Sequence, residues 1–182
     1  MRLVLILMIL LSSVFSHAAD GLFVSVGSGM GDALIQSGST SSASVKGAGI
    51  RQLGFEGVEF PHLGEFDVTW DLEWYQLQHQ QQSTPLTLTI WAVKPTLLWS
   101  WPEIGNTVTE FGLGVGHLSS TEYLMIQTSS HLQFAIHLGV GWQFGEAEQW
   151  RTILRYNHYS NGYLDQPNPG VDFMSLSLYY QF

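Results

Sequence analysis

The chain has 182 residues, no cysteine and a formal charge of −9, with 12% charged and 13% aromatic residues. The lack of cysteine excludes disulfides and thiolate metal sites. The negative balance excludes nucleic acid as a partner, because nothing here displaces phosphate counterions on a large scale.

The first predicted element is a targeting segment. "MRLVLILMILLSSVFSHAADG" carries Arg2, an apolar run from Leu3 to Leu11, and then small residues. This is the pattern of a secretory signal peptide over residues 1–18, cleaved after Ala18 or after Ala19. The run is shorter than the roughly 18–20 apolar residues a membrane-spanning helix needs. Loss of Arg2 takes the charge from −9 to −10. Residues 19–182 read as one domain.

Eight strands follow, at residues 21–31, 44–56, 64–78, 85–101, 106–117, 131–145, 148–160 and 172–182. Several alternate strictly. "FDVTWDLEWY" sets Phe66, Val68, Trp70, Leu72 and Trp74 against Asp67, Thr69, Asp71, Glu73 and Tyr75. "FAIHLGVGWQF" and "DFMSLSLYYQF" show the same period of two, which marks strands with one apolar face. The Gly/Ser-rich stretch "GSGMGDALIQSGSTSSASVKGAG" is poorly periodic and leaves the first two strands loosely bounded. Pro95 has no N–H for a ladder, so a bulge or an edge-like defect is expected near it.

The apolar faces carry Trp or Tyr near their ends, and the chain closes on Phe182 in apolar phase. That predicts an all-β fold: an eight-stranded antiparallel transmembrane β-barrel of the outer-membrane type. An even strand number puts both termini in the periplasm. "GVEFPHLG", "WPEIGN" and "GEAEQ" are then periplasmic turns. "HQQQSTP", "HLSSTEYLMIQTSSH" and "NGYLDQPNPG" fall outside, with the Gly/Ser-rich stretch. A barrel of this size is filled by side chains and is not a pore. Asp67, Asp71, Glu73, Arg151 and Arg155 fall on inward phases and predict a buried plug of ion pairs. His62, His79, His117, His131 and His137 show no recurring ligand spacing, and no metal site is expected among them.

The chemistry sits in "RTILRYNHYSNGYLDQPNPGVDF". With Arg151 and Arg155 inside, Trp150, Leu154, Tyr156, His158 and Ser160 face out. Two residues apart on a strand, His158 and Ser160 lie about 6.5–7 Å apart along the backbone. The outward phase of the last strand extrapolates back from Met174 to Asp172. Three polar residues thus converge on an otherwise apolar face, where polar groups are costly and usually functional. Ser160 alone is a weak nucleophile, His158 can take its proton, and Asp172 can orient the imidazole.

"HYSNGYLDQPNPGVD" resembles the C-terminal signature of the lipid A 3-O-deacylases, the PagL family. The specific motif spans residues 158–172, and the architecture matches over the mature chain. The resemblance implies an outer-membrane barrel that removes the 3-O-acyl chain of lipid A with a Ser-His-Glu triad and no metal or other cofactor. It makes Ser160 the nucleophile, His158 the base and Asp172 the occupant of the acid's place, where the family has Glu. It makes the Asn161 backbone N–H an oxyanion donor, with Asn168 of the Gln-Pro-Asn loop in support. Leu154, Tyr156 and Met174 would contact acyl chains. The partner implied is lipid A or lipopolysaccharide in the outer leaflet, met by a monomer or a homodimer. The other class weighed is a non-catalytic structural or adhesive barrel. A palmitoyl-transferring barrel would need an acyl pocket inside, which the inward charges oppose.

Overall fold

A computed structural model of the chain describes residues 20–31, 39–80 and 85–182. The expected signal peptide lies outside the described residues, as do residues 32–38 and 81–84. The strands are β1 (Gly21–Gly29), β2 (Ser44–Phe60), β3 (Gly64–His79), β4 (Leu86–Trp101), β5 (Thr107–Leu118), β6 (Glu122–Tyr123), β7 (Ile126–Gln127), β8 (Leu132–Phe144), β9 (Trp150–Ser160) and β10 (Val171–Gln181). Eight of them close antiparallel into a barrel in the order β1-β10-β9-β8-β5-β4-β3-β2. β6 and β7 form a separate small hairpin.

Short connections gather at one end of the barrel, the turn end, and longer ones at the other, the loop end. The predicted strand limits hold to within a few residues, except in β2. That strand runs to Phe60 through two register shifts, at Leu53/Phe55 and Phe55/Val58, with Gly57 at φ 59°. The left-handed backbone suits glycine, and the bulges bend the strand end. Pro95 causes a gap and not a bulge. β4 pairs with β5 at Val93–Val115 and again at Thr96–Gly112 in the same register, skipping Lys94 and Pro95.

The wall is apolar on its outside. Leu22, Val26, Leu113, Leu138, Trp142 and Leu176 are all exposed and in phase. An apolar outside around a polar inside is the inverse of a water-soluble domain and fits a barrel set in lipid. No helix among the described residues is long and apolar enough to cross a membrane.

Inside, Arg155 is fully buried and reaches three acids. It donates to Glu73 at 2.6 Å, to Asp71 at 3.0 Å and to Glu110. Arg51 bonds Asp71 at 2.6 Å and Glu110 at 2.9 Å, and Lys94 pairs with Glu73 at 2.6 Å. His137 Nε2 lies 3.4 Å from Glu110. The Gly112 backbone leaves the space the imidazole fills, since a β-carbon there would collide with the His137 ring. The sequence reading found part of this plug and missed Arg51, Lys94 and Glu110. His137 lies in mid-strand on β8, on the inward phase. Nearer the loop end the filling turns apolar, with Leu77, Leu88, Ile90, Tyr159 and Phe173 packed together. The β6–β7 hairpin drops Tyr123 and Ile126 onto this layer, a fold the sequence reading left as loop. Charged mid-section and apolar cap make a rigid, filled cylinder, and chemistry is left to its outer wall.

Candidate active site

β9 and β10 run side by side with His158 directly opposite Asp172. The strand alternation that exposes Leu154 and Leu176 puts both on the outward phase. His158 Nδ1 lies 2.5 Å from Asp172 Oδ1, and His158 Nε2 lies 2.8 Å from Ser160 Oγ. An ionised carboxylate can only accept, so Nδ1 carries the proton and donates it to Asp172. Nε2 is then the lone-pair nitrogen, and the Ser160 hydroxyl donates to it. The three predicted residues form one hydrogen-bonded chain.

Outward phase does not mean contact with lipid. His158 is 5% and Asp172 1% exposed. Of the three residues that face out, only Ser160 is partly open. Neighbouring groups close over the other two. Tyr156 OH donates to Asp172 Oδ2 at 2.8 Å, so both carboxylate oxygens are held. The Asp172 carbonyl accepts from Met30 N–H at 3.2 Å and from the Thr40 hydroxyl. Thr40 N–H in turn donates to Met30 O at 2.8 Å. The segment after β1 therefore clasps the start of β10. Nothing in the aperiodic Gly/Ser-rich sequence announces Thr40 as a partner of this strand.

The loop after Ser160 is fixed by Asn161. Its side-chain amide donates to Ser129 Oγ at 2.6 Å and Asp165 O at 2.7 Å, and its Oδ1 accepts from Tyr163 N–H at 2.9 Å. Its backbone N–H donates to Asn168 Oδ1 at 2.9 Å. The N–H assigned by sequence to an oxyanion is therefore already engaged. That bond assigns the oxygen of the Asn168 amide to the Asn161 N–H and leaves Nδ2 as its donor end. Ser129 N–H also reaches Pro167 O at 2.9 Å, which ties the β5–β8 loop to the β9–β10 loop.

Tyr156 and Met174 are Cα partners below the site, and Leu154 and Leu176 are the next outward pair. A shallow apolar groove continues down the wall between Val24, Val26, Leu176 and Leu178. Among the described residues no group of three or more His, Asp or Glu is placed to hold a metal ion.

The family described as lipid A 3-O-deacylase (PagL) matches residues 56–181, more than half of the chain. Lipid A deacylase PagL of Bordetella bronchiseptica is 32% identical over 93 residues, a stretch covering 51% of each protein. The crystal structure of the outer membrane enzyme PagL superposes with a TM-score of 0.70 at 20% identity, covering 89% of this chain and 99% of that one.

Proposed function

The chain belongs to the lipid A 3-O-deacylase (PagL) family, and from that premise we propose that it is an outer-membrane ester hydrolase. It is exported by the signal peptide read at residues 1–18 and removes the 3-O-acyl chain of lipid A. The observation that carries this reading is the continuous chain Ser160–His158–Asp172 on the outward phase of an apolar wall. A lipid substrate reaches such a site by lateral diffusion, with its ester at headgroup depth beside the loop end.

In the acylation step Ser160 Oγ attacks the ester carbonyl carbon while its proton passes to His158 Nε2. Asp172 holds the imidazole tautomer and stabilises the imidazolium. The tetrahedral oxyanion is met by Asn168 Nδ2. Collapse breaks the carbonyl–oxygen bond, and Nε2 returns the proton to the departing sugar oxygen. Water then repeats the sequence on the acyl-enzyme, releasing the fatty acid and restoring Ser160. The acyl chains lie along Leu154, Tyr156, Met174 and the groove below them. Asp172 is a methylene shorter than the family's Glu, and a position directly opposite His158 makes up the reach.

The test is mass spectrometry of lipid A from cells expressing the protein. Wild type is expected to remove one 3-hydroxyacyl chain and Ser160→Ala none, with equal amounts of folded barrel in the membrane. Unchanged deacylation by Ser160→Ala would overturn the assignment.

A further inference from the structure

A net-negative barrel that works on a phosphorylated glycolipid must present cations to it somewhere. Among the described residues Arg51, Lys94, Arg151 and Arg155 are all buried within the barrel. That leaves Lys46, exposed near the loop-end start of β2, two strands round from Asp172 and four residues lower in the register. The acids are segregated as well. Among the described residues Glu56, Glu59, Glu65, Glu103, Glu146 and Glu148 lie at or beside the turn-end connections, whereas the loop-end connections carry Glu122 and Asp165 besides the active-site acid. The loop end is therefore poor in both signs and rich in histidine.

Two of those histidines are paired. The rings of His117 and His131 stack with centroids 5.4 Å apart and planes 9° from parallel. Both residues are exposed. His117 follows Leu113 and Val115 on the outward phase of β5, and its Cα partners are the uncharged Trp91 and Leu132. His131 Nδ1 lies 2.7 Å from the Leu118 carbonyl. A carbonyl only accepts, so that nitrogen is the N–H, and Nε2 is turned free. The acids on the adjoining loops are Glu122 and Asp165, and neither forms an ion pair with either ring; the histidine–acid pairs of the described residues are His137–Glu110 and His158–Asp172.

The pair stands beside the nucleophile. Ser160 is opposite Phe134 on β8, and Leu132, two residues further out, is opposite His117. Two strand spacings and two residues put the imidazoles about 12 Å from Ser160, the span of a disaccharide headgroup. An anion lying against both rings can accept a hydrogen bond from each.

We propose that His117 and His131 together form the phosphate subsite of the active face, taking a phosphate of the lipid A headgroup while Ser160 meets the ester. This rests on the deacylase reading. The phosphate accepts from His131 Nε2–H and from a ring N–H of His117, each protonated by solvent as the anion binds. The subsite fixes which way round the headgroup lies, and so which ester reaches Ser160.

The experiment uses the full barrel in detergent micelles and the double variant His117→Gln/His131→Gln. KM for phosphorylated lipid A is expected to rise about tenfold at unchanged kcat. Dephosphorylated lipid A and a nitrophenyl ester should be hydrolysed as by wild type. His117→Arg should keep the low KM. Equal KM for both forms of the protein on phosphorylated lipid A would overturn the subsite. An equal loss on the uncharged ester would overturn it too, since a general defect would then explain the effect. Binding is measured separately on the Ser160→Ala background, which needs no turnover: the histidine variant should bind phosphorylated lipid A more weakly and phosphatidylglycerol micelles unchanged. Equal weakening on phosphatidylglycerol would assign the pair to the general lipid surface and overturn the substrate subsite. If wild type releases no fatty acid, the deacylase reading fails, while the binding arm still decides the phosphate subsite.

Discussion

Two histidines on neighbouring strands sit beside carboxylates, and they have opposite fates. His137 on β8 points into the barrel, 3.4 Å from Glu110 and sealed among Arg155, Lys94 and the wall. His158 on β9 points out, bonded to Asp172 on one side and to Ser160 on the other. In the ladder they are almost adjacent, since His137 pairs with Asn157 and Ile136 with His158. One step of strand phase separates a packing residue from the proposed base. A His-acid pair becomes chemistry only where the other ring nitrogen meets a nucleophile that substrate can reach.

Substitutions can break that contrast or sharpen it. His158→Ala should lower lipid A deacylation about ten-thousandfold or more, because nucleophile and base act as a unit. The barrel should still show heat-modifiable migration. Asp172→Asn keeps size and place but removes the charge that fixes the tautomer, and kcat should fall about a thousandfold with KM little changed. Arg155→Met acts on the other side of the wall. Asp71, Glu73 and Glu110 lose a shared partner, at a cost of about 3–5 kcal/mol in unfolding from detergent, with turnover per folded molecule preserved. Tyr156→Phe removes one hydrogen bond to Asp172 and should slow kcat by less than about tenfold. His137→Gln should leave kcat within about twofold; a loss comparable to that of His158→Ala would abolish the distinction between the two histidines.

The same distinction shows what the amino-acid sequence reveals. Period-two alternation carried through β3, β8 and β10, so the barrel, its strand number and the faces of Asp71, Glu73 and Arg155 could be read directly. That His158 and Asp172 share the outward face follows from the phases of β9 and β10, whereas their direct pairing is a matter of register that the structure supplies. Arg51, Lys94 and Glu110 were missed because their strands hide the phase. β2 shifts register twice beyond Leu53, β4 carries Pro95 beside Lys94, and β5 is diluted by glycine. Tyr156 reads as an acyl contact by its outward phase, yet its hydroxyl bends up to Asp172, which only three-dimensional placement reveals. The Asn161–Asn168 bond and the Met30–Thr40 clasp depend on how loops fold, and no periodicity encodes that.

The clasp has a consequence for timing. Thr40 and Met30 come from the beginning of the chain and grip the carbonyl of Asp172 near its end, across the seam where β1 meets β10. That seam forms only when the last strand zips to the first. The brace on the Asp172 carbonyl therefore exists only in the closed barrel, where the two ends of the chain lie side by side.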